Sequence, residues 1–378
     1  MQSVETISSG NARAATAISR PYSLALDLIR VVAALVVVTG HSGQLGVFTG
    51  RWPFSDIVQH VAVIVFFVLS GLVISDSVQT RKMSLQAYAI ARFSRIFPVA
   101  IAGVLLGNFI WFASHLWHID LPAQPANFNL ADTKSVIMPL LFLSETSVGT
   151  GPVANPPYWS LCYEVLYYAI FAAFVFLKGP NRSVWTFALL VIAGPRIIIL
   201  MPVWLAGVWL QSRLSALKPS RFIGLILVLA GSIVVVSMAK IAMPLAGLTA
   251  SWPVFDHLEL RFSQFWLADW FMTPAILAIF IGILPWAEQG SRILDRHARA
   301  IRRLAGSSFT LYIIHWPIIS LLVALGFTSS NFFGFAAIVV AVVMLAIGVA
   351  AILERQITPA LKRAMQLRLA GKPHILHS

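Results

Sequence analysis

The sequence predicts an all-α protein, a polytopic membrane helix bundle of about ten transmembrane helices with both termini in the cytoplasm. Three observations predict it. Of its 378 residues, 58% are hydrophobic and only 11% are charged, against about 25% charged in a soluble domain. The apolar residues collect in runs suited to crossing about 30 Å of hydrocarbon. The basic residues fall overwhelmingly on alternate connections between those runs, so the net charge of +13 reads as orientation and not as a nucleic-acid footprint.

Taken in order, the spans lie at about 24–43, 57–75, 97–114, 160–177, 183–196, 197–212, 222–239, 268–286, 308–326 and 333–353. An even number puts both ends on one side. With the N-terminus inside, the 27 lysines and arginines are all cytoplasmic except Arg51, Lys134, Arg196, Lys240 and Arg261, which fall outside or near that face. The apolar run from Val136 to Leu143 is too short to span and reads as re-entrant or interfacial. The fifth and sixth spans are short, have no real loop between them and carry Pro195, Arg196 and Pro202, which suits a broken pair lining a cavity. Met1–Arg20 is polar and no small-residue cleavage pattern follows the first span, so that helix is expected to be retained. Tails at 1–23 and 354–378 flank one membrane domain, 24–353, without internal repeat. Outer stretches at about 115–135 and 240–267, rich in Trp, His, Asp and Pro, are expected to shape an opening. The single cysteine, Cys162, excludes an intramolecular disulfide and a cysteine metal site, and no metal is expected.

Polar residues inside the spans are the candidates for chemistry. The first span, Leu24 through Gly43, buries Asp27, Arg30 and His41 among valines and alanines. Eleven steps from Arg30 to His41 make about 1100°, roughly 20° past three full turns, so both project from one helix face with Asp27 about 40° to the other side. His41 lies about 16 Å along the axis from Arg30, near the bilayer centre if Arg30 marks the surface. An ionisable group at that depth is costly and reads as functional, while a packing hydrogen bond is the competing explanation. In the second span, Ser70 and Gly71 make a small notch suited to close helix approach or to a thin ligand chain.

Further along, Arg92 and Arg95 are three apart and share a face if their segment is helical. Their guanidinium forks match phosphate geometry, and Pro98 suits the first turn of the next helix. Pro156 through Glu164 combines a stiff lead-in, the interfacial aromatics Tyr158 and Trp159, a prospective Ser160 N-cap and a carboxylate just inside the helix. In the ninth span Tyr312 and His315 stand one turn apart, and Pro317 is expected to kink the helix and free a carbonyl.

Leu26-Asp27-Leu28-Ile29-Arg30 with His41 eleven residues after Arg30 resembles the first-helix signature of the acyltransferase-3 family of membrane acyltransferases. The stretches Phe66–Gly71, Arg92–Arg95, Trp159–Glu164 and Tyr312–Pro317 resemble its later motifs in order. Ile352–Gln356 is similar to its terminal motif but carries Gln356 where proline is usual, which weakens any role for Glu354. The resemblance implies a multi-pass O-acyltransferase of a bacterial-type inner membrane. It would move an acyl group, expected to be acetyl, from acetyl-CoA to a hydroxyl of a cell-surface or exported glycan or glycolipid, with acyl-CoA as substrate and no bound cofactor.

On that resemblance His41 is the expected general base. Glu164 holds its tautomer, or alternatively binds sugar hydroxyls or pairs with Arg196. Arg30, Arg92 and Arg95 hold the donor, with Ser70, Gly71, Tyr312 and His315 lining its channel and His315 nearer the cytoplasm than His41. Asp27, Trp159 and Ser160 give polar support. Direct transfer and an acyl-histidine intermediate both stay open. So do two other classes, a proton-coupled transporter using the same intramembrane acids and histidine and a non-catalytic glycolipid-binding scaffold. The partners expected are acyl-CoA, the acceptor and the bilayer, with no nucleic acid.

Overall fold

A computed structural model describes residues 18–54, 57–122, 132–254 and 258–370. Arg13, Lys372 and part of both tails and both outer stretches lie outside them. The described chain forms α1 (Arg20–Gln44), α2 (Val58–Arg81), α3 (Leu85–Leu116), α4 (Thr133–Leu140), α5 (Trp159–Phe176), α6 (Gly179–Arg213), α7 (Arg221–Ala250), α8 (Trp266–Gln289), α9 (Ser291–Ala324), α10 (Phe332–Ile352) and α11 (Thr358–Ala370). Nine helices among the described residues are long and apolar enough to cross a membrane. Large apolar side chains such as Phe222, Leu229, Ile233 and Phe333 stand exposed, as lipid-facing surfaces require.

One of the nine, α6, is broken into two legs. Gly194 sits inside it at φ 70, ψ 176, a left-handed conformation that glycine alone adopts freely. The second leg runs parallel to α5, with the Tyr167 hydroxyl on the Ile197 carbonyl and Phe171 against Trp204. It ends with Gln211 beside Ser75, close to the Arg81 end of α2. The first leg starts just after α5 closes and must climb back to Gly194, so the two legs are antiparallel. The first expected span of the pair is therefore a real leg, short at about 22 Å for its 15 residues.

Contacts at the helix ends fix the remaining directions. Ser19 hydrogen-bonds Glu288, Arg20 pairs with Asp295 at 2.8 Å, and the Ile18 amide donates to Asp76. The start of α1, the end of α2, the end of α8 and the start of α9 thus share one end of the bundle. At the opposite end Phe48 bridges Ser329, so α1 and α9 run side by side in the same direction. Close approach is made possible by glycine. A Cβ on Gly71 would lie 2.0 Å from the Trp204 carbonyl oxygen, and one on Gly207 would lie 1.9 Å from that of Val68, so α2 and the second leg of α6 meet backbone to backbone.

Several expected boundaries move. Pro98 opens no helix but lies within the 32 residues of α3, which at about 48 Å outruns the hydrocarbon core and carries Arg92 and Arg95 on the same rod as the third span. The basic run Arg292–Arg303 is the first third of α9 and not a loop, since its alanines and charged residues all favour helix. Residues 240–250, expected in an outer loop, belong to α7. The eight residues of α4 are too few to span, as expected, and the Tyr158 hydroxyl anchors their end through the Pro139 carbonyl at 2.9 Å.

Gly207→Ala should cost about 1–3 kcal/mol, because two backbones have to part. Gly247→Ala, where an added Cβ meets nothing within 4 Å, should be neutral or slightly stabilising. Thermal unfolding of both variants in detergent reads the difference.

Candidate active site

The side-by-side α1 and α9 bring together two histidines. His41 Nδ1 lies 2.7 Å from His315 Nε2, with the rings 7° from coplanar. The other nitrogen of His315, Nδ1, lies 2.8 Å from the Tyr312 carbonyl oxygen and 3.2 Å from that of Leu311. A carbonyl only accepts, so Nδ1 of His315 carries the proton and, in the neutral ring, its Nε2 is the acceptor. His41 must then donate from Nδ1, which leaves Nε2 of His41 with a free lone pair. Trp316 packs edge-on against His41 at 4.8 Å.

This arrangement corrects two expectations. His315 is no nearer the basic end than His41, because parallel helices hold both rings at one level. Glu164 does not hold the histidine's tautomer. Its carboxylate accepts from Ser70 Oγ at 2.5 Å and from the Tyr168 hydroxyl, and Arg196, its other suggested partner, pairs instead with Glu259 at 3.3 Å. His41 sits in the last turn of α1, nearer that end of the bundle than a mid-membrane depth implies.

Below the histidines lies a cavity of about 100 Å³ whose walls include Arg30, Arg92, Arg95, Ser70, Glu164 and Tyr312. Two of these, Ser70 and Glu164, belong to one bonded group, in which Ser70 also accepts from Trp204 Nε1 at 3.2 Å while donating to Glu164. Arg30 is anchored by Asp27 at 3.2 Å. The Arg92 Nε is buried with no hydrogen-bond partner among the described residues. At the far end the Tyr312 hydroxyl donates to the Pro157 carbonyl at 3.0 Å, which leaves Ser160 Oγ to donate to Tyr312 at 2.6 Å. Ser160 is thus no N-cap. The turn Pro156–Tyr158 runs straight into α5, whose cap position is Tyr158 without a side-chain bond.

Gly71 also leaves the expected channel, its face being filled by the α6 backbone. Cys162 is fully buried on the side of α5 away from Glu164, beside Ser144 and Glu145.

Three features escaped sequence reading. Pro317 has no N–H for the Ile313 carbonyl, and Asn155 Nδ2 supplies the missing donor at 2.9 Å, two residues before His315 in the continuous helix α9. His60 Nε2 donates to the buried Asp269 carboxylate at 3.0 Å, with its ring stacked on Trp159, itself stacked on Phe262. Glu145, fully buried, faces Arg261 at 3.6 Å. No spacing signal links partners 209 residues apart. Asn155 alone was findable, as a polar residue just ahead of the Pro156–Pro157 pair.

A family model described as an acyltransferase domain matches residues 23–355. No curated protein and no solved structure matches the chain.

Burial raises the Glu145 carboxyl to about 7, only partly offset by Arg261 and Arg196. The folded state therefore holds this proton more tightly than the unfolded one, and stability should fall as pH rises from about 4.5 to about 7. Glu145→Gln should unfold near the wild-type temperature at pH 4 and above it at pH 8, as read by thermal denaturation across that range.

Proposed function

The chain belongs to the acyltransferase-3 family, and on that premise we propose that it is a membrane O-acyltransferase taking acetyl from acetyl-CoA to a hydroxyl of a surface or exported glycan or glycolipid. In this reading the basic end faces the cytoplasm of a bacterial-type inner membrane. One observation carries it, an arginine-walled cavity that ends one helical turn short of a histidine pair with an unprotonated ring nitrogen.

Arg30, Arg92 and Arg95 receive the donor's phosphates, to which their forks are matched. The pantetheine arm then runs along the cavity past Ser70 and Phe66 towards Tyr312, placing the thioester by the histidines. His41 Nε2 takes the proton of the acceptor hydroxyl as the oxygen attacks the thioester carbonyl carbon. The C–S bond breaks, the proton passes from His41 to the departing sulfur, and ester and free thiol result. His315 is a positioning residue: it holds His41 in the tautomer that makes Nε2 basic and stabilises the cation formed midway, the part an acid plays in a hydrolase triad. Glu164 positions the cavity wall by holding Ser70 and Tyr168.

Transfer of radiolabelled acetyl from acetyl-CoA to extracted membrane glycolipid by purified protein tests this reading. Wild type should transfer, and His41→Ala should lose about 10²–10⁴-fold at unchanged abundance. Activity within threefold of wild type, or substrate movement across vesicles without any ester formed, contradicts it. Arg92→Ala and Arg95→Ala should raise KM for acetyl-CoA more than they lower kcat, with lysine restoring only part. His315→Ala should lower kcat more than it changes KM, because its part is to set the His41 tautomer and not to hold the donor's phosphates.

A further inference from the structure

Between α3 and α5 a second hollow of about 220 Å³ opens sideways from the bundle. Its walls are apolar, with Ala89, Phe93 and Phe97 on one side, Val165 and Ala169 on the other, and Phe142 across its end. Its polar side chains are Tyr88, whose hydroxyl donates to the Tyr168 carbonyl at 3.2 Å, and Arg92 and Tyr168, which also line the arginine-walled cavity. From Tyr88 to Phe97 the hollow follows α3 for about 13 Å, the length of an extended chain of some ten methylenes. Phe93 is exposed, so the opening faces the surroundings of the bundle, and in a multi-pass protein those surroundings are lipid.

Two features specify an occupant. An apolar trough that water would fill at a cost is filled favourably by a hydrocarbon chain, at about 0.8 kcal/mol per methylene. At its polar margin stands Arg92, whose buried Nε lacks any partner among the described residues. Leaving a cationic donor unmet costs more than an ordinary lost hydrogen bond, and a phosphate oxygen would meet it. Tyr168 offers no such group, since its hydroxyl is already committed to Glu164 and Ser70.

We infer that this trough is a binding site for an anionic glycerophospholipid, with one acyl chain laid between α3 and α5 and the phosphate on Arg92. The site shares Arg92 with the donor cavity proposed above, so the lipid occupies it when no donor is bound, and binding is read without donor and without turnover.

The test uses the full chain in nanodiscs containing phosphatidylglycerol with a diazirine midway along one acyl chain, and in parallel the matching phosphatidylcholine. After irradiation, digestion and mass spectrometry, phosphatidylglycerol adducts should concentrate on residues 85–97 and 165–172. They should exceed phosphatidylcholine adducts there by about fivefold, because both lipids offer Arg92 a phosphate but only phosphatidylglycerol does so without a compensating cation in its headgroup. Arg92→Gln should bring the two lipids level. Ala169→Trp should abolish the adducts by filling the trough, and Ala89→Trp does so from the opposite wall if the first variant fails to fold. Adducts spread evenly over the lipid-facing helices, or equal labelling by both lipids in the wild type, would overturn the assignment.

Discussion

A carbonyl oxygen cannot donate a hydrogen bond, and the site follows from that one constraint. Because the Tyr312 carbonyl lies 2.8 Å from His315 Nδ1, the proton of His315 is placed, then that of His41, and the lone pair on Nε2 of His41 is what remains. The half-buried His41 and the buried His315, joined directly, have no charge to trade when both are neutral, so the arrangement sets tautomers without the desolvation penalty of a buried ion pair. Asn155 belongs to the same chain of consequence. It holds the carbonyl that Pro317 leaves unbonded, that of Ile313, two residues before His315.

The rest of the bundle exists to hold α1 and α9 parallel in register. Arg20 on Asp295 and His41 on His315 are separated by 21 and 20 residues along the two helices, so the rods keep step over their common length. Helix approach at Gly71 and Gly207 sets the second leg of α6 hard against α2. That places Trp204 where its indole reaches Ser70 and so completes the wall with Glu164 and Tyr168.

Much of this was legible in the sequence because it is periodic. The run from Asp27 to His41 announces a polar stripe on an apolar helix, and the structure puts Arg30 with Arg92 and Arg95 in one cavity. The broken pair around Pro195 is two antiparallel legs. Pairings between distant helices were not legible. Glu164 was the expected partner of His41 and His315 a channel lining, and only the parallel course of α1 and α9 brings His315 to His41 instead. His60 with Asp269, and Glu145 with Arg261, join segments whose approach depends on how the whole bundle closes. Helix ends moved wherever charged residues continue a helix past the membrane, as in α9, because hydropathy marks the lipid boundary and not the end of the hydrogen-bond ladder.

The central claim is the protonation of one ring. Nitrogen-15 NMR of histidine-labelled protein, with signals assigned by loss in His41→Gln and His315→Gln, reads it directly. The account predicts that at neutral pH both rings are neutral and protonated at Nδ1, so that Nε2 of His41 gives the signal of a bare, pyridine-type nitrogen. A proton found on Nε2 of His41, with Nδ1 bare, would contradict it and remove the base from the site.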